Sequence, residues 1–512
     1  MELTLTSPHW QGNGQTFVRG YCYDKSNTLL QGDSLLAFFD EVSSETTFQS
    51  KLAEANGLFS VVIDKPALNA AAVDATRTYP MYFTLSGQLS DNPHTFPAKG
   101  IADRRKVDFY NATGATPEGC TLIDGIFQVS PSHYAFWHPQ KGWDQKPYRT
   151  YFCKKSEERP CDGQQLREVL DAVAERLVRS CGGRQVVIPL SGGYDSRIIA
   201  AMLKKQGYDN LLAYTVGKKG SAECRMAEQV ANRLGIKHCT IDISSAASLE
   251  LCYADRAEFE RYYQFMGNYG NFTWMFEFAA IKKLRAMGSL SSDAVFVPGH
   301  SGDSIAGSHI TKAGVTARDT AASLTRKIMY ISNEYGYRRS VSEYIFGYFQ
   351  TLLLEGVTPH SAYQNFILQN RQAHNIINSA RVYEFFGYDV RMPLWDTQLM
   401  DLFRPLPLEQ LHDCSLYNAT LMKIFEENNV GFAKKEKTYN PKKQIVRGFV
   451  KRFLPTEYIK QPQKGDGGEW EVCQPLLDEL VAMKRYGRYR KPLNSNTIMK
   501  EWYLKKVMEG EG

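Results

Sequence analysis

The sequence predicts an α/β chain in two parts: a β-rich first part, then a parallel-sheet part that ends in helices. Three observations carry that reading. Short alternating or β-branched runs such as 58–64 (LFSVVID) and 81–85 (MYFTL), separated by Gly, Asn, Pro and Asp clusters, fill residues 1 to about 150. Beyond residue 165 apolar runs alternate with segments of helical period, the pattern of parallel strands joined by crossover helices. One of those runs, 186–190 (VVIPL), leads straight into Ser-Gly-Gly-Tyr-Asp-Ser and a further apolar helical stretch.

The polar segment 154–165 (KKSEERPCDGQQ) separates the two parts, so the predicted domains are 1–153 and 154–512. After it Leu166, Val169, Leu170, Val173 and Leu177 recur at helical spacing. Strands are predicted at 186–190, 211–216 (LLAYTV), 237–243 (KHCTIDI) and 294–298 (AVFVP). Between them lie helical segments carrying Met226, Val230 and Leu234, and later FEFAAIKKLRAM at 276–287. From about residue 320 the chain reads as mostly helical, and it holds neither an internal repeat nor a low-complexity tract.

Composition narrows the function classes. With 43% hydrophobic and 23% charged residues, the 512-residue chain has an ordinary globular balance. A net charge of +6 is too small at this length to argue for nucleic acid or an anionic membrane. Ten cysteines run from Cys22 to Cys473 without a C-x-x-C pair, which disfavours a zinc site or a redox dithiol and suits reduced thiols in a cytoplasmic protein. The opening MELTLTSPHWQGNGQTF has no basic n-region or apolar core, and no apolar run is long enough for a membrane span.

The loop at 191–196 carries the first chemical signal. A parallel strand ending in small residues and opening a helix presents backbone N–H groups at a positive dipole end, which suits phosphate. Gly192 and Gly193 admit close approach, and the hydroxyls of Ser191 and Ser196 add donors. A plain Gly-Gly turn is the alternative, and the Walker A spacing is absent.

Ser-Gly-Gly-x-Asp-Ser resembles the pyrophosphate loop of the ATP pyrophosphatase superfamily. Other segments point to its asparagine synthetase branch rather than its tRNA-thiolating one. LAEANGLFSVVID (52–64) with VDATRTYPMYF (73–83), the stretch 211–238, PGHSGDSIAG (298–307) and DVRMPLWDTQLMDLFRPLP (389–407) are similar to that branch's motifs, in the same order. The resemblance implies a degenerate class II glutaminase-like domain over 1–153 and an ATP pyrophosphatase domain over 154–512. Asparagine synthetases begin Met-Cys, whereas residue 2 here is Glu, Cys22 is internal, and Arg77 stands where the family has Gly. The expectation is therefore a structural N-terminal domain without glutaminase activity.

By the same resemblance the cofactors are ATP and Mg²⁺. Asp195 and Asp303 would hold the metal, with a helix cap as the alternative role for Asp303. Leu190, Ser191, Gly192, Gly193, Ser196 and Gly302 would bind ATP and pyrophosphate, and Val216 and Gly217 would contact adenosine. Glu223 would cap the helix that follows. His300 and Asp389 match positions that act on the attacking amine in β-lactam synthetases, so a His–carboxylate pair would take its proton, a backbone-bonded buried His being the alternative. A catalytic Lys is expected from a C-terminal loop, Lys437 first and Lys464 next. The basic run 434–452 suits an acidic substrate or a solvated face. Arg197, where the family has a small polar residue, is read as facing substrate. The expected reaction is AMP-forming amide synthesis on a small-molecule or saccharide carboxylate, with an amine donor other than glutamine. The form P-G-H-S-G-D-x-x-x-G-x-H-I (298–310) resembles proteins of bacterial surface-polysaccharide synthesis. A lasso-type or β-lactam-type macrocyclase and a catalytically dead scaffold are the alternatives, and the oligomeric state is left open, a homodimer included.

Overall fold

The first 147 residues build two stacked sheets from eleven strands among the described residues: β1 (Glu2–Thr4), β2 (Gln11–Gly12), β3 (Thr16–Tyr23), β4 (Leu29–Gln31), β5 (Asn56–Lys65), β6 (Leu68–Val73), β7 (Tyr82–Thr84), β8 (Gln88–Ser90), β9 (Ile126–Gln128), β10 (His133–His138) and β11 (Gly142–Pro147). The larger sheet runs β11-β10-β6-β5-β3-β2 with β4 beside β3, and the smaller runs β1-β8-β7-β9. A computed structural model describes residues 1–97, 100, 103–272, 274–332, 339–432, 469–482 and 495–510.

Strand β5 shows why the run at 58–64 is so apolar. Its residues 58–63 are all buried, because both faces are covered. Phe59, Val61 and Ile63 pack with Phe39, Phe48 and Leu52 from the helices α1 (Asp33–Asp40) and α2 (Glu45–Glu54). Val62 points the other way, toward Met81, Phe83 and Leu89 of the second sheet. The β-rich expectation thus holds for the sheets but missed these helices and α3 (Arg104–Thr113). Their cues are local caps: Ser44 closes α2 with Thr47 in a capping box, and Asp103 accepts from the N–H groups of Arg105 and Lys106.

The second part opens with α4 (Gly163–Cys181), capped by Asp162 with Gln165 and ended by Gly182 at φ 60°. Its buried face is Leu166, Leu170, Val173 and Leu177. The parallel sheet follows as β12 (Val186–Pro189), β13 (Leu211–Val216), β14 (Lys237–Ile241), β15 (Val295–Phe296) and β16 (Asp389–Val390), in the order β14-β13-β12-β15-β16. Helices α5 (Tyr194–Lys205) and α6 (Ala222–Leu234) make the first crossovers. All neighbours are parallel, with Val186 level with Leu211 on one side and Val295 on the other. The chain winds outward from β12 to β14 and then returns to β12's far side, so a crevice opens at the carboxyl ends of β12 and β15. Edge strand β16, two residues long, was not predicted, since no periodicity can be read from two residues.

Past residue 320 the described chain is helical apart from β16, with Ala321–Ser332, Arg339–Leu354 and Pro359–Phe366 leading into a π-helical stretch, Ile367–Ile376. Among the described residues no helix is long and apolar enough to cross a membrane. The two parts are joined by Asp396, which is nearly buried. Its carboxylate accepts from Arg176 Nε at 2.7 Å and Nη2 at 2.9 Å, and from Asn56 Nδ2 at 3.0 Å. Asn56 starts β5, Arg176 lies in α4, and Asp396 caps the helix Thr397–Phe403. We expect Asp396→Ala to lower the unfolding free energy by about 3–5 kcal/mol, because it strands a buried guanidinium, whereas exposed Asp33→Ala should change it by less than about 0.5 kcal/mol; urea denaturation checks both.

Candidate active site

Strand β12 ends at Pro189 and α5 begins at Tyr194, leaving four residues to turn the chain. Leu190 stays in the sheet, its N–H donating to the Tyr214 carbonyl at 2.8 Å. Ser191 N–H donates to Ser196 Oγ at 3.0 Å, the two hydroxyls lie 3.1 Å apart, and Gly193 N–H donates to Ser191 Oγ at 3.1 Å. The serines therefore brace the loop across the first turn of α5, the positive end of that helix, and Asp195 lies in the same turn.

The second loop, 298–303, meets the first with almost no clearance. A Cβ on Gly299 would lie 2.5 Å from Ser196 N and 2.8 Å from Asp195 C, and one on Gly302 would lie 2.9 Å from Asp195 Cγ. Between these glycines Ser301 adopts φ +72°, a left-handed backbone that costs a serine energy. Its hydroxyl donates to Gln372 Oε1 at 2.8 Å, and Gln372 in turn bonds His309 at 3.0 Å, so the π-helical stretch supports the turn. The contact brings Asp303 N–H to Asp195 Oδ2 at 2.9 Å. Two residues that sequence reasoning missed complete the pair. Buried Tyr417 donates its hydroxyl to Asp195 Oδ1 at 3.1 Å, and Lys312 Nζ stands 3.6 Å from Asp303 Oδ2.

Above these loops is a cleft of about 420 Å³. Of the predicted residues it is lined by Leu190, Ser191, Gly193, Asp195, Ser196, Val216, His300 and Asp303. Gly192 and Gly302 lie behind the lining, and Gly217 extends the β13–β14 ladder by donating to the Ile241 carbonyl at 2.9 Å. Glu223 also lines the cleft; the helix cap expected of it is Ser221, whose hydroxyl accepts from Cys224 N–H. Glu277, Tyr214 and Tyr383 add polar lining, beside Tyr194 and Thr215, and went unread, because they stand in segments whose main sequence signal is core periodicity.

Two expectations change. His300 and Asp389 do not pair. His300 faces the nucleotide-side cleft, whereas Asp389 lines a different cavity, bonds Arg184 Nη1 at 2.7 Å and stands 3.6 Å from Arg391. Burial would raise the Asp389 carboxyl, but Arg391 and Arg184 outweigh it and hold it below the usual range. Without a carboxylate partner, burial pushes the His300 imidazole down to about 4, far from operating pH. Arg197 does not face substrate either: it is fully buried and donates to the carbonyls of Val430 at 3.1 Å, Phe432 at 2.7 Å and Gly192 at 3.3 Å. Its sequence cue was misread because a charge after a phosphate loop can serve as a clamp. Lys437 and Lys464 lie outside the described residues.

The donor set suits Mg²⁺ bound together with a polyphosphate. Among the described residues no group of three or more His, Cys, Asp or Glu side chains gathers as a metal site. Two carboxylates, Asp195 and Asp303, are what Mg²⁺ takes from a protein when phosphate oxygens and water supply the rest of its octahedron.

Two outcomes follow from this geometry. Gly299→Ala drives a Cβ into backbone, so we expect a stability loss on the order of 1–3 kcal/mol and weakened nucleotide binding, whereas Gly192→Ala, whose Cβ would meet nothing nearer than 3.6 Å, keeps wild-type stability; denaturant melts and nucleotide titration check this. His300 is folded with a pKa of about 4 against about 6.5 unfolded, so the unfolded chain binds more protons between those values. Its contribution is therefore full above pH 6.5 and is lost as pH falls toward 4, by up to about 3 kcal/mol; urea midpoints over that window should fall less steeply in His300→Asn.

Comparison with known proteins fits the site. The family described as asparagine synthase matches residues 165–484. The tRNA-specific 2-thiouridylase MnmA of Rhodospirillum centenum is 42% identical over 73 residues, covering 12% of this chain and 19% of that protein. The same enzyme of Rhodospirillum rubrum is 42% identical over 77 residues, 12% of this chain and 20% of that one. The chain thus spans about a fifth of the length of these curated relatives. Among solved structures, NAD+ synthetase from Burkholderia pseudomallei aligns at 19% identity over 52% of this chain and 89% of that one, with a TM-score of 0.20. Glutamine phosphoribosylpyrophosphate amidotransferase from B. subtilis aligns at 9% identity over 85% and 77%, with a TM-score of 0.17. Superpositions at such scores carry no weight. The family match spans the loop at 190–196, the loop at 298–303 and both acidic residues between which the cleft is built, and by it this chain belongs to the asparagine synthase family.

Proposed function

We propose that this chain is an ATP-dependent carbon–nitrogen ligase that activates a carboxylate as its adenylate and passes the acyl group to an amine. The observation that carries this reading is the meeting of Asp195 and Asp303 over a braced phosphate loop, at the carboxyl ends of a parallel sheet. In the proposed reaction a carboxylate oxygen bonds to the α-phosphorus while the bond to pyrophosphate breaks. The amine then bonds to the acyl carbon, AMP leaves with the electron pair of the broken bond, and the nitrogen gives up a proton. Adenylation is needed because a carboxylate oxygen is otherwise a very poor leaving group.

The chain's residues have distinct tasks in that scheme. Asp195 and Asp303 hold Mg²⁺, which supplies charge neutralisation on the phosphates when bound. The positive end of α5 and the hydroxyls of Ser191 and Ser196 orient the pyrophosphate end. Tyr417 keeps Asp195 aimed, and Lys312, half exposed beside Asp303, adds positive charge at the cleft rim. His300, neutral at pH 7, lines the cleft as an uncharged ring beside the incoming amine. Glutamine hydrolysis is not assigned to Cys22: it is fully buried in β3, and burial pushes its thiol well above the usual range. The amine in this reading comes from ammonia or from the substrate itself. The carboxylate we favour is a uronic acid or another sugar-linked acid, on the resemblance of 298–310 to proteins of surface-polysaccharide synthesis.

Exchange of radiolabelled pyrophosphate into Mg-ATP, without glutamine, tests the reading. Exchange that depends on a uronic acid supports it; exchange only with a peptide carboxylate replaces it with a macrocyclase; silence over a broad acid panel with ATP still bound points to a scaffold. We expect Asp195→Asn and Asp303→Asn each to cut exchange by about 100-fold or more, with circular dichroism unchanged.

A further inference from the structure

A second cavity, of about 180 Å³, lies where the N-terminal sheet meets the α/β part. Strand β3 and the turn at Thr78 and Tyr79 wall one side, and residues 377–392 wall the other. Three arginines line it: Arg19 from β3, Arg381 from the helix Arg381–Phe385, and Arg391 just past β16. They are only 7%, 6% and 4% exposed, and the Nε of each is buried without a hydrogen-bond partner among the described residues.

The charges around this cavity do not balance. Glu384 is bonded to Arg19 and lies 3.6 Å from Arg381, so one carboxylate serves two guanidiniums. Asp389, about half exposed, is bonded to Arg184 outside the lining and reaches Arg391 only at 3.6 Å. Three buried cations thus face two carboxylates, one of them already shared with a fourth arginine. A buried cation without a full counter-charge costs several kcal/mol, so an enclosed positive excess calls for an anion. The guanidiniums are also held in place: Arg19 lies over the Tyr79 ring at 4.3 Å and Arg391 over Tyr21 at 4.2 Å. Rigid planar donors of that kind match a carboxylate.

We propose that this interdomain cavity is a binding site for a small organic monocarboxylate, separate from the nucleotide cleft. The volume exceeds that of several water molecules, each about 30 Å³, so a small acid fits. The short helix Arg381–Phe385 divides the two sites: Tyr383 lines the nucleotide cleft and its neighbour Glu384 lines this cavity. The guanidiniums, fixed over the Tyr79 and Tyr21 rings, present flat donor edges that suit a planar carboxylate better than a tetrahedral phosphate.

Isothermal titration of the full chain at constant ionic strength with sodium acetate, sodium benzoate and inorganic phosphate tests this. We expect saturable one-site binding of at least one carboxylate, undiminished by saturating Mg-ATP and tighter than phosphate. Arg19→Gln should weaken it about tenfold or more. Asp389→Asn, at a half-exposed position and able to fold, should tighten it several-fold by raising the positive excess, a change that a purely structural role would not produce. No saturable carboxylate binding, displacement by Mg-ATP, phosphate binding as tight as carboxylate, or no tightening in Asp389→Asn would each overturn the proposal.

Discussion

The candidate site depends on how closely two loops, more than 100 residues apart in the chain, pass each other. Asp303 N–H reaches the Asp195 carboxylate only because Gly299 and Gly302 let one backbone lie against another. A side chain at either position would push the loops apart and separate the acidic pair. The left-handed Ser301 between them shows that the turn is held against its own preference, with the Gln372 bond opposing relaxation. The energetic cost is local, and it is offset by a buried scaffold that can move very little.

That scaffold is strongly directional. Parallel strands put every crossover helix on a face of the sheet, so a crevice opens at the carboxyl end of β12, beside the strand where the winding reverses. Leu190 is tied to β13 through Tyr214, Ser191 is tied to α5 through Ser196, and Arg197 ties the whole turn to residues 430–432. The loop is therefore organised by its own hydrogen bonds, so a ligand seated on it would meet little ordering cost. The same packing pushes the half-buried His300 imidazole down to about 4, so the ring facing the cleft is neutral at pH 7.

The N-terminal part is bound to this scaffold through charge. Asp396, paired with Arg176 in its own part, accepts from Asn56 across the junction, and the ion pairs Arg19–Glu384 and Arg149–Asp401 cross it as well. Such contacts add little net stability compared with apolar packing, but each admits only one relative placement of the two parts. The β-rich domain thus has a role that needs no chemistry of its own: it closes one side of the arginine-lined cavity and buttresses the helix whose Tyr383 reaches the nucleotide cleft.

Several elements were legible in the sequence because they rest on short-range physics. Alternation and helical period marked β5, β13 and the buried face of α4, and small residues after an apolar strand marked the phosphate loop. Motif resemblance named Asp195 and Asp303, which the fold brings together. Illegible were Tyr417 and Lys312, which meet the carboxylates of Asp195 and Asp303, Glu277, which lines the cleft, and the separation of Asp389 from His300, since a motif carries spacing along the chain and not direction in space. Arg77 shows both levels at once: the residue was visible as a departure from glycine, and the structure gives its position φ +55°, the region glycine suits. The sequence by itself determined the α/β architecture with its β-rich start and parallel sheet, the glycine-rich strand-to-helix loop and the acidic residues it brings close, because periodicity, turn chemistry and backbone permissiveness are local properties. Only the tertiary structure decided which charges meet: that Arg197 clamps instead of facing substrate, that His300 stands without a carboxylate, and that three arginines surround one cavity. Those outcomes follow from burial and long-range packing, which no local stretch of chain encodes.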